Sequence, residues 1–565
     1  MKASDYIADY LEKHGVAVVF EMIGGMITHI IDSLHQRTKI KIVSVHHEQS
    51  AGFAAEAAGR LSDAPGIALA TSGPGATNLV TAIASCYFDS TPTVFITGQV
   101  NLSELSKGLG IRQQGFQETD IVSIAKPITK WATMIDKPED MPDVLEKAFK
   151  VASEGRPGPV LIDIPMDVQR QQIEEPKTAK PEPQAVSFDF CSKFFESLSS
   201  ELSVARRPLV LAGGGVRVSR SGESFASLVD HLGIPVVHSL LGVDLLPYDH
   251  PLRIGMIGTY GNRWSNIAMM ESDFLLVLGS RLDVRQTGSS TDLLSQRKIF
   301  HIDCESGQLN NRVKGCETLQ ADLKSSMDYL NENLLKPAFP EAWYSKIISN
   351  KKRFSDTSEL SDVIGINPNQ FIHRLSASSH QASVFVADVG KHQMWTAQSI
   401  ELNSSQRLLL SGGLGSMGFA LPASIGSAFA SRSAVVCIAG DGGFQCNIQE
   451  LETIAHHRLP IKMVILNNRS LGMVGQFQED YFESRLHSTV WGYSAPDFEA
   501  LGKAYKIRSR HIDRPEEVDG ALEWLWSNGT EPALLNVEIN VGTKIYPKAA
   551  YGRQINDMDP PVDDS

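Results

Sequence analysis

Short apolar runs alternate with amphipathic stretches along the whole chain. The runs are rich in Val, Ile and Leu without alternating polar residues, which is typical of strands buried on both faces of a parallel sheet. The stretches between them have helical periodicity, which implies right-handed crossover connections. The runs form three groups, at residues 40–47, 66–73, 93–99 and 159–165, at residues 208–216, 233–239, 273–280 and 298–303, and at residues 383–390, 434–443, 461–468 and 533–540. The pattern predicts an α/β protein with three parallel sheets.

Two irregular segments separate the three groups. Residues 169–186 are polar and rich in proline, and residues 335–340 lead into a charged helix and a second irregular stretch. Such segments are typical of domain boundaries. We therefore predict three doubly wound α/β domains at residues 1–170, 188–335 and 366–547, followed by a tail at residues 548–565. Ligands of such domains bind beyond the carboxyl ends of the strands, so the residues that follow each run are the candidates for chemistry.

Composition narrows the class of protein. The length of 565 residues suits three or four domains of about 100–200 residues each. The net charge of −13 argues against a nucleic-acid-binding protein, which would carry a basic surface. The six cysteines form no CxxC pair, so we expect small buried residues in a reducing compartment. The N-terminus predicts an amphipathic helix rather than a signal peptide, and no run reaches the length of about 18 apolar residues that a membrane span needs. We expect a soluble, cytoplasmic protein without a nucleic-acid or membrane partner.

Polar residues follow two neighbouring runs of the third group. Asp441 lies in a Gly-Asp-Gly-Gly segment after one run, and Asn468 ends the next run. Carboxylate and amide oxygens suit Mg²⁺, and the glycines allow backbone amides to approach phosphate. Each segment alone is also typical of a tight turn or a helix cap, but the two together favour a metal and phosphate site. The pair resembles the signature of thiamine diphosphate (ThDP) enzymes, by which Asp441, Asn468 and the main-chain carbonyl of Ser470 would hold Mg²⁺.

A glutamate after the first run matches the second requirement of ThDP chemistry, a carboxylate that reaches the aminopyrimidine ring of the cofactor. Glu48 follows residues 40–47 and begins an alanine-rich helix. A lone glutamate in the first turn of a helix is often only a solvated capping residue. Together with the predicted metal site, however, its place at a strand end makes Glu48 the strongest catalytic candidate.

Dense matches over nearly the whole chain extend this resemblance to one family. The chain resembles the catalytic subunit of acetolactate synthase. The matching segments are HEQSAGFAAEAAGR (47–60), TSGPGATNLVTAIA (71–84), DSTPTVFITGQV (89–100), GFQETDIV (115–122), KPITKW (126–131), KHQMW (391–395), SGGLGSMGFALPA (411–423), GDGGFQCNIQELETI (440–454) and NNRSLGMV (467–474).

The resemblance implies a Pyr domain, a central FAD-type domain and a PP domain, in that order. It also implies a homodimer or homotetramer with active sites between subunits, so that Glu48 would act on a cofactor held by the partner chain. Met417 would bend that cofactor, and the carbonyl of Gly415 would accept a hydrogen bond from its amino group. The implied cofactor-binding residues are Gly25, Gly390, Lys391, His392, Gly415, Met417, Gly440, Gly442, Gly443 and Met473. The implied catalytic residues are Glu48, Gln117 and Lys130, and the implied substrate residues are Phe116, Arg285 and Phe477.

The central domain carries a glycine-rich segment, AGGGVR (212–217), after its first run. Alone this is a weak dinucleotide signal. With the resemblance it implies FAD, held by Gly213, Gly214, Gly215, Leu240, Leu241, Gly258, Thr259, Arg281, Asp283, Arg285, Asp303 and Asp322. The flavin would be structural, because acetyl transfer to a carbonyl needs no net redox step. A domain that keeps the fold but binds ADP or no ligand is the alternative.

The activity that the resemblance implies is decarboxylation of pyruvate and transfer of its two-carbon unit to a second carbonyl compound. Two departures from the family pattern bear on specificity. Lys391 replaces the usual glutamine and would contact the diphosphate, and Phe477 replaces the usual tryptophan of the acceptor pocket, which leaves the acceptor open. The tail resembles those of branched-sugar (yersiniose-type) carboligases, so a nucleotide-linked 4-keto-deoxysugar is an alternative to a 2-ketoacid. A pyruvate oxidase or decarboxylase and a homologue without catalysis are further alternatives, although the presence of Glu48, Asp441 and Asn468 argues against the last.

Overall fold

The computed structural model describes residues 1–106, 108–174 and 192–562 and contains three six-stranded parallel sheets with helices on their faces. The predicted fold class is confirmed, and each predicted run contains one strand. Residues 175–186 of the predicted first linker, residues 188–191 of the predicted central domain and residues 563–565 of the tail lie outside the described part. No helix in the described part is long and apolar enough to cross a membrane.

The first sheet lies between residues 18 and 165. Its strands are β1 (Val18–Met22), β2 (Lys41–Ser44), β3 (Gly66–Ala70), β4 (Thr93–Gln99), β5 (Trp131–Met134) and β6 (Pro159–Pro165). The helices are α1 (Ala3–Lys13), α2 (Thr28–Arg37), α3 (Glu48–Leu61), α4 (Pro74–Asn78), α5 (Val80–Phe88), α6 (Ile121–Ala125), α7 (Met141–Ser153) and α8 (Met166–Arg170). The strand order β2-β1-β3-β4-β6-β5 leaves β2 and β5 at the edges, and α1 is the predicted N-terminal helix.

The second sheet lies between residues 208 and 320. Its strands are β7 (Pro208–Ala212), β8 (Val236–His238), β9 (Arg253–Met256), β10 (Phe274–Leu278), β11 (Lys298–Asp303) and β12 (Glu317–Gln320). The helices are α9 (Ser192–Val204), α10 (Gly214–Val218), α11 (Gly222–Leu232), α12 (Arg263–Glu271), α13 (Val284–Thr287), α14 (Leu323–Asn333) and α15 (Glu341–Arg353). The strand order is β12-β11-β10-β7-β8-β9. Helix α15 follows the predicted end of this unit at residue 335, yet it packs on the same core through Trp343 and Ile347.

The third sheet lies between residues 382 and 538. Its strands are β13 (Ala382–Ala387), β14 (Arg407–Leu410), β15 (Ala434–Gly440), β16 (Ile461–Asn467), β17 (Arg508–Ile512) and β18 (Ala533–Glu538). The helices are α16 (Pro368–Ser378), α17 (Lys391–Ser399), α18 (Ala420–Ser431), α19 (Asp441–Gln445), α20 (Glu450–His457), α21 (Gly472–Tyr481), α22 (Phe498–Ala504) and α23 (Val518–Trp526). The order is β14-β13-β15-β16-β18-β17.

The tail packs back on the central domain. Strands β19 (Lys548–Ala549) and β20 (Met558–Asp559) form an antiparallel pair. The backbone N–H of Ala549 donates to the carbonyl of Thr259 at 2.7 Å, and the side chain of Ile555 is fully buried in the central core. The tail is therefore part of the central domain's packing rather than a free extension over residues 548–562.

The expectation that all six cysteines are buried is wrong for two of them. Cys86, Cys316 and Cys437 are buried, whereas Cys304 and Cys446 are exposed, and Cys191 lies outside the described residues. Cys304 directly follows β11 and Cys446 directly follows α19, so both lie beyond strand ends, where the sheets open toward ligand sites.

Helices α3 and α18 pack closely and join the first domain to the third. Both are rich in alanine and glycine, and they share one continuous hydrophobic core. A Cβ atom on Gly426 of α18 would lie 2.0 Å from the carbonyl oxygen of Ala54 of α3. Any side chain at residue 426 would therefore push the two helices apart.

A buried ionic network supports the same junction. Arg60 near the end of α3 pairs with Glu56, bonds to Asp89 at 3.1 Å and donates to the carbonyl of Leu410 at 2.7 Å. Asp89 in turn accepts from the backbone N–H groups of Gly412 and Gly413 at 3.1 and 2.6 Å. The network ties the first domain to the glycine-rich loop that precedes α18.

We expect the substitution Gly426→Val to lower the free energy of unfolding by about 1–3 kcal/mol, because the added side chain overlaps with α3. Urea denaturation followed by circular dichroism measures the change. Gly520→Ala is the matched control: a Cβ on Gly520 in α23 meets no atom within 4 Å, so this variant should be as stable as the wild type or more stable. Equal destabilisation by the two substitutions would contradict the packing argument.

Candidate active site

Two turns at the carboxyl edge of the third sheet form an oxygen-lined cradle. Asp441 is the first residue of α19, directly after β15, and Asn468 directly follows β16. The two strands are parallel neighbours, with Gly440 opposite Leu466, so the residues that follow them meet at one edge. Asp441 and Asn468 are both buried. The structure therefore brings together these two predicted metal ligands.

The third predicted ligand completes the cradle. One terminal atom of the Asn468 amide lies 3.1 Å from Asp441 Oδ1 and 2.9 Å from the carbonyl oxygen of Ser470. With the amide nitrogen at this position, Asn468 donates to both acceptors. With the amide oxygen there, three hard oxygens converge without a proton between them. In that orientation the three oxygens form a donor set that suits a divalent cation such as Mg²⁺.

The electrostatic setting of Asp441 is consistent with a cation partner. Burial raises the pKa of Asp441 to about 6, and the hydrogen bond from Tyr493 opposes the shift. The Tyr493 hydroxyl donates to Asp441 Oδ2 at 2.8 Å, which leaves Oδ1 directed at Asn468. A cation beside Oδ1 would favour the ionised form. Tyr493 was not predicted from the sequence, because it lies in a loop that is far from Asp441 along the chain.

Met417 lies against the same turn. A Cβ on Gly442 would lie 3.4 Å from Met417 Cε and 2.6 Å from Leu471 Cδ2, so glycine leaves room for the methionine. The Met417 side chain is 40% exposed, and Gly415 has a positive φ of 73°. The loop thus presents an apolar side chain to the surface directly beside the cradle.

Asp388 holds this loop in place, and sequence reasoning missed it. Its carboxylate accepts from the backbone N–H groups of Gly418 and Ala420 at 3.0 and 2.9 Å. Burial raises the pKa of Asp388 to about 6, against the effect of these hydrogen bonds. A Cβ on Gly443 would lie 2.7 Å from the Asp388 carboxylate. One buried carboxylate therefore links the Met417 loop to the Asp441 turn.

The two residues that begin α17 are buried beside the cradle. Lys391 donates to the carbonyl of Thr543 at 2.6 Å, and burial lowers its pKa to about 8. The His392 ring packs against Gly390 and Gly440, and burial lowers its pKa to about 3, so the imidazole is neutral. Its Nε2 atom has no hydrogen-bond partner among the described residues.

Glu48 forms a separate cluster in the first domain. It begins α3, is only 7% exposed, and accepts from Asn78 Nδ2 through Oε2 at 2.9 Å. A Cβ on Gly75 would lie 3.2 Å from Glu48 Oε1, so glycine leaves that oxygen accessible. Among the described residues, no hydrogen bond joins Glu48 to Asp441 or Asn468.

The other residues predicted for catalysis and substrate are spread around these clusters. Gln117 has a positive φ of 65° and packs on Gly73, in the turn next to Glu48. Phe116 is 81% exposed. Lys130 donates to the carbonyl of Glu154 at 2.5 Å and touches neither cluster. Phe477 is half-exposed on α21 and stacks with neighbouring aromatic rings.

Two remaining predicted cofactor residues differ in their setting. Gly25 begins a short turn after β1, and a Cβ atom added to it would meet no other atom within 4 Å. A Cβ atom on its neighbour Gly24, by contrast, would lie 2.4 Å from Thr71. The close approach is therefore at Gly24. Met473 is half-buried near the start of α21 and packs on the third domain's core.

A cavity of about 980 Å³ lies at the carboxyl edge of the second sheet. Eleven of the twelve residues predicted for FAD line its wall, and the twelfth, Gly213, packs beneath it with its Cα facing the Gly279 carbonyl. Asp303 ends β11, and Asp322 caps α14 by accepting from the backbone N–H of Ser325 at 2.9 Å. Acidic residues at strand ends suit the hydroxyl groups of a nucleotide ribose.

Charged residues from all three domains surround this large cavity. Arg281 pairs with Asp283 at 2.7 Å, and the carbonyl of Arg285 accepts from the backbone N–H of Thr259 at 2.7 Å. The wall also contains arginines that were not predicted, namely Arg60, Arg156, Arg217, Arg220 and Arg407. They come from helices, a strand and loops of different domains, so no local pattern in the sequence marks them. The volume and these charges fit an anionic dinucleotide.

Three domain families of thiamine pyrophosphate enzymes match the chain. The N-terminal TPP binding domain matches residues 1–124, the central domain matches residues 196–330, and the C-terminal TPP binding domain matches residues 388–537. Each match falls on one of the three sheets.

Similar proteins span nearly the whole chain. The acetolactate synthase large subunit of Lactococcus lactis is 35% identical over 560 residues, which cover 98% of this chain and 95% of the relative. The acetolactate synthase isozyme 1 large subunit of Escherichia coli is 34% identical, with 98% and 97% covered. The probable acetolactate synthase large subunit of Methanocaldococcus jannaschii is 36% identical, with 99% and 95% covered. From these matches, the chain belongs to the acetolactate synthase large subunit family of thiamine pyrophosphate enzymes.

Proposed function

We propose that this chain is the catalytic subunit of a ThDP- and Mg²⁺-dependent carboligase that decarboxylates pyruvate and transfers the two-carbon unit to a second carbonyl compound. The observation that carries the proposal is the convergence of Asp441, Asn468 and the Ser470 carbonyl beside Met417. Membership of the acetolactate synthase family supports pyruvate as the donor.

The third domain holds the diphosphate end of the cofactor. Asp441, Asn468 and the carbonyl of Ser470 would hold Mg²⁺ through oxygen, and this ion would supply the charge that balances a diphosphate. The glycines of the Asp441 turn leave backbone N–H groups open to phosphate. Met417 would contact the cofactor through a flexible apolar side chain. Asp388 keeps that side chain in position through the backbone of the next residues.

The first domain supplies the acid–base group. When bound, ThDP supplies a nucleophilic carbon and an electron sink for decarboxylation. Glu48 holds and releases a proton at Oε1, the carboxylate oxygen that Asn78 does not bond. The Asn78 amide orients the carboxylate, and burial at the start of α3 shields it from water.

We propose that a complete site needs two chains. No hydrogen bond joins Glu48 to the Asp441 cradle among the described residues of one chain. Met417, Phe116 and Phe477 are 40%, 81% and 52% exposed around the two clusters. Large apolar side chains at this exposure favour burial against another surface. A homodimer in which the first domain of one chain faces the third domain of the other supplies that surface.

FAD is proposed for the large cavity. The cavity volume reaches the upper end of the range for ligand sites, about 1,000 Å³. Asp303 and Asp322 suit the ribose, and the arginines of the wall suit the phosphates. The flavin has a structural role, since carbon transfer to a carbonyl needs no net redox step.

The acceptor is proposed to be a second 2-ketoacid. Arg285 lies on the exposed rim of the large cavity and is a suitable partner for a carboxylate. Phe116 and Phe477 provide apolar contact surface. No contact of the described residues favours a keto-sugar acceptor, an oxidase or a simple decarboxylase.

Product analysis tests the reaction. With pyruvate as the only substrate, together with ThDP, Mg²⁺ and FAD, we expect CO₂ and acetolactate in a ratio of about one to one, measured by mass spectrometry. Acetaldehyde or acetate in place of acetolactate would contradict the carboligase and indicate a decarboxylase or an oxidase.

The substitution Glu48→Gln should lower the rate of CO₂ release by at least about 100-fold, because the side chain can no longer transfer a proton. ThDP binding, measured by tryptophan fluorescence, should stay near the wild-type level. Glu499→Gln is the matched control, since Glu499 also lies in the first turn of a helix but is partly exposed and pairs only with Lys503. Normal turnover in Glu48→Gln would refute the role of this carboxylate.

The substitution Asp441→Asn should weaken Mg²⁺-dependent ThDP binding by about 10- to 100-fold, because one charge-assisted metal contact is lost. Titration of ThDP at fixed Mg²⁺ concentration measures this effect, with the exposed Asp292→Asn as control. Unchanged cofactor affinity in Asp441→Asn would place the metal elsewhere.

A further inference from the structure

A second, smaller cavity of about 100 Å³ lies between the second and third domains. Arg253 at the start of β9, Tyr248 and Asn262 contribute to its wall from the second domain. Lys351 of α15 and Gln398 of α17 close it from the other side. We call it the Arg253 cavity. It shares none of its lining residues with the candidate active site or the large cavity.

Two cations flank one aromatic ring in this cavity. The Arg253 guanidinium carbon lies 5.3 Å from the ring centroid of Tyr248, and Lys351 Nζ lies 5.5 Å from the same centroid. Arg253 is only 7% exposed. Cation–π contacts attract both groups to the ring, but they do not neutralise the two positive charges.

In the described part of the chain, neither cation has an acidic partner at ion-pair distance. Among the described residues, no carboxylate lies within 4.0 Å of the Arg253 guanidinium or of Lys351 Nζ. Arg253 makes a single long hydrogen bond, from Nη2 to the Val243 carbonyl at 3.5 Å, and its Nε atom has no partner. A buried guanidinium without a counter-charge destabilises the fold strongly.

Nearby titratable groups leave the cavity positive. Burial lowers the pKa of Arg253 to about 10, so its guanidinium stays charged at neutral pH, and burial also lowers the pKa of Lys351. Burial, followed by the charge of Arg253, holds the pKa of His238 well below its usual range, so this residue adds no charge.

The acidic residue Asp356 also lines the cavity, but its carboxylate bonds to other residues rather than to either cation. Its carboxylate accepts from Ser399 and bonds to His373 Nε2 at 2.8 Å, while His373 Nδ1 bonds to Glu401 at 2.7 Å. Against the effect of burial, these carboxylates raise the pKa of His373, which favours its charged form. Because both ring nitrogens of His373 hydrogen-bond to carboxylates, a second proton is shared within the triad, which then carries one net negative charge. Against the positive charges of Arg253 and Lys351, a positive excess remains.

The geometry points to a binding site for a small oxyanion, held by the guanidinium of Arg253 and the ammonium of Lys351 in the Arg253 cavity. Inorganic phosphate, sulfate and a small carboxylate share the required chemistry. Arginine binds such oxygens in a two-pronged manner, and lysine adds a point charge. The cavity volume equals the share of about three liquid water molecules, which suits an anion of this size.

The site is placed to strengthen the junction between two domains. Gln398 of α17 lines the cavity, and its Nε2 atom donates to the carbonyl of Tyr260 in the second domain at 2.9 Å. Tyr260 in turn lines the large cavity. An anion that neutralises Arg253 therefore stabilises the contact of Gln398 with Tyr260, which links the walls of the two cavities.

Isothermal titration calorimetry of the holoenzyme tests the proposal, with ThDP, Mg²⁺ and FAD saturating so that their phosphate sites are filled. Inorganic phosphate, sulfate and acetate are titrated in separate arms. We expect one anion per chain to bind the wild type with a Kd below about 1 mM. The arm that binds most tightly distinguishes a tetrahedral oxyanion from a carboxylate.

Arg253→Met and Lys351→Met should each weaken the binding at least tenfold, whereas the adjacent, exposed Lys352→Met should leave it unchanged. In anion-free buffer, Arg253→Met should also raise the melting temperature, because it removes an uncompensated buried charge. If Arg253→Met does not fold, Lys351→Met provides the test instead, because Lys351 is only half-buried and its substitution disturbs the fold less. Absence of binding in all three arms, or equal affinity in wild type and both cavity variants, would overturn the proposal.

Discussion

The close packing of α3 against α18 is the constraint on which the candidate active site depends. Glu48 begins α3, and the loop that carries Met417 leads into α18. Because Gly426 lies against the Ala54 carbonyl, the two helices have little freedom to slide or separate. The Arg60–Asp89 network ties the same loop to the first domain. One chain thus presents two rigid half-sites in a defined orientation, and a second copy can dock on both.

The fold was largely predictable, and three of the missed strands share a cause. Most of the predicted runs are strands whose two faces are both buried, so they are continuously apolar, although β2 is a partly exposed edge strand. Of the six strands of the three sheets that were missed, β5, β9, β12, β14 and β17 are sheet edges and β1 is internal. Strands β5, β12 and β17 are mostly half-exposed, so their sequences mix polar and apolar residues like loops do. The charged helix α15 was predicted, but its packing on the second core was not, since tertiary contacts decide it.

The sites were predictable only where short motifs follow strands. Asp441 and Asn468 lie at the ends of predicted runs and directly follow strands, Glu48 directly follows a predicted run, and most of the predicted FAD residues line one cavity. Residues that are distant from these motifs along the sequence could not be predicted, because no local pattern marks them. Tyr493 and Asp388 position the cradle, and several arginines of the large cavity come from three domains. The Arg253 cavity could not be predicted from the sequence either, because its excess of positive charge depends on which carboxylates are paired with other residues in the folded chain. Lys391 was expected to face the diphosphate, yet its ammonium bonds to the Thr543 carbonyl.

The division of one site between two chains is the central claim, and subunit complementation tests it most directly. Glu48→Gln and Asp441→Asn chains are unfolded together, refolded as a mixture and assayed for acetolactate formation at a ThDP concentration at which neither variant alone is active. If Glu48 of one chain serves the Asp441 cradle of the other, half of the dimers contain one intact site, and activity should return to about a quarter of the wild-type value. If both residues serve a site within one chain, mixed dimers contain no intact site. Mixed dimers without activity, verified by native mass spectrometry, would contradict the account.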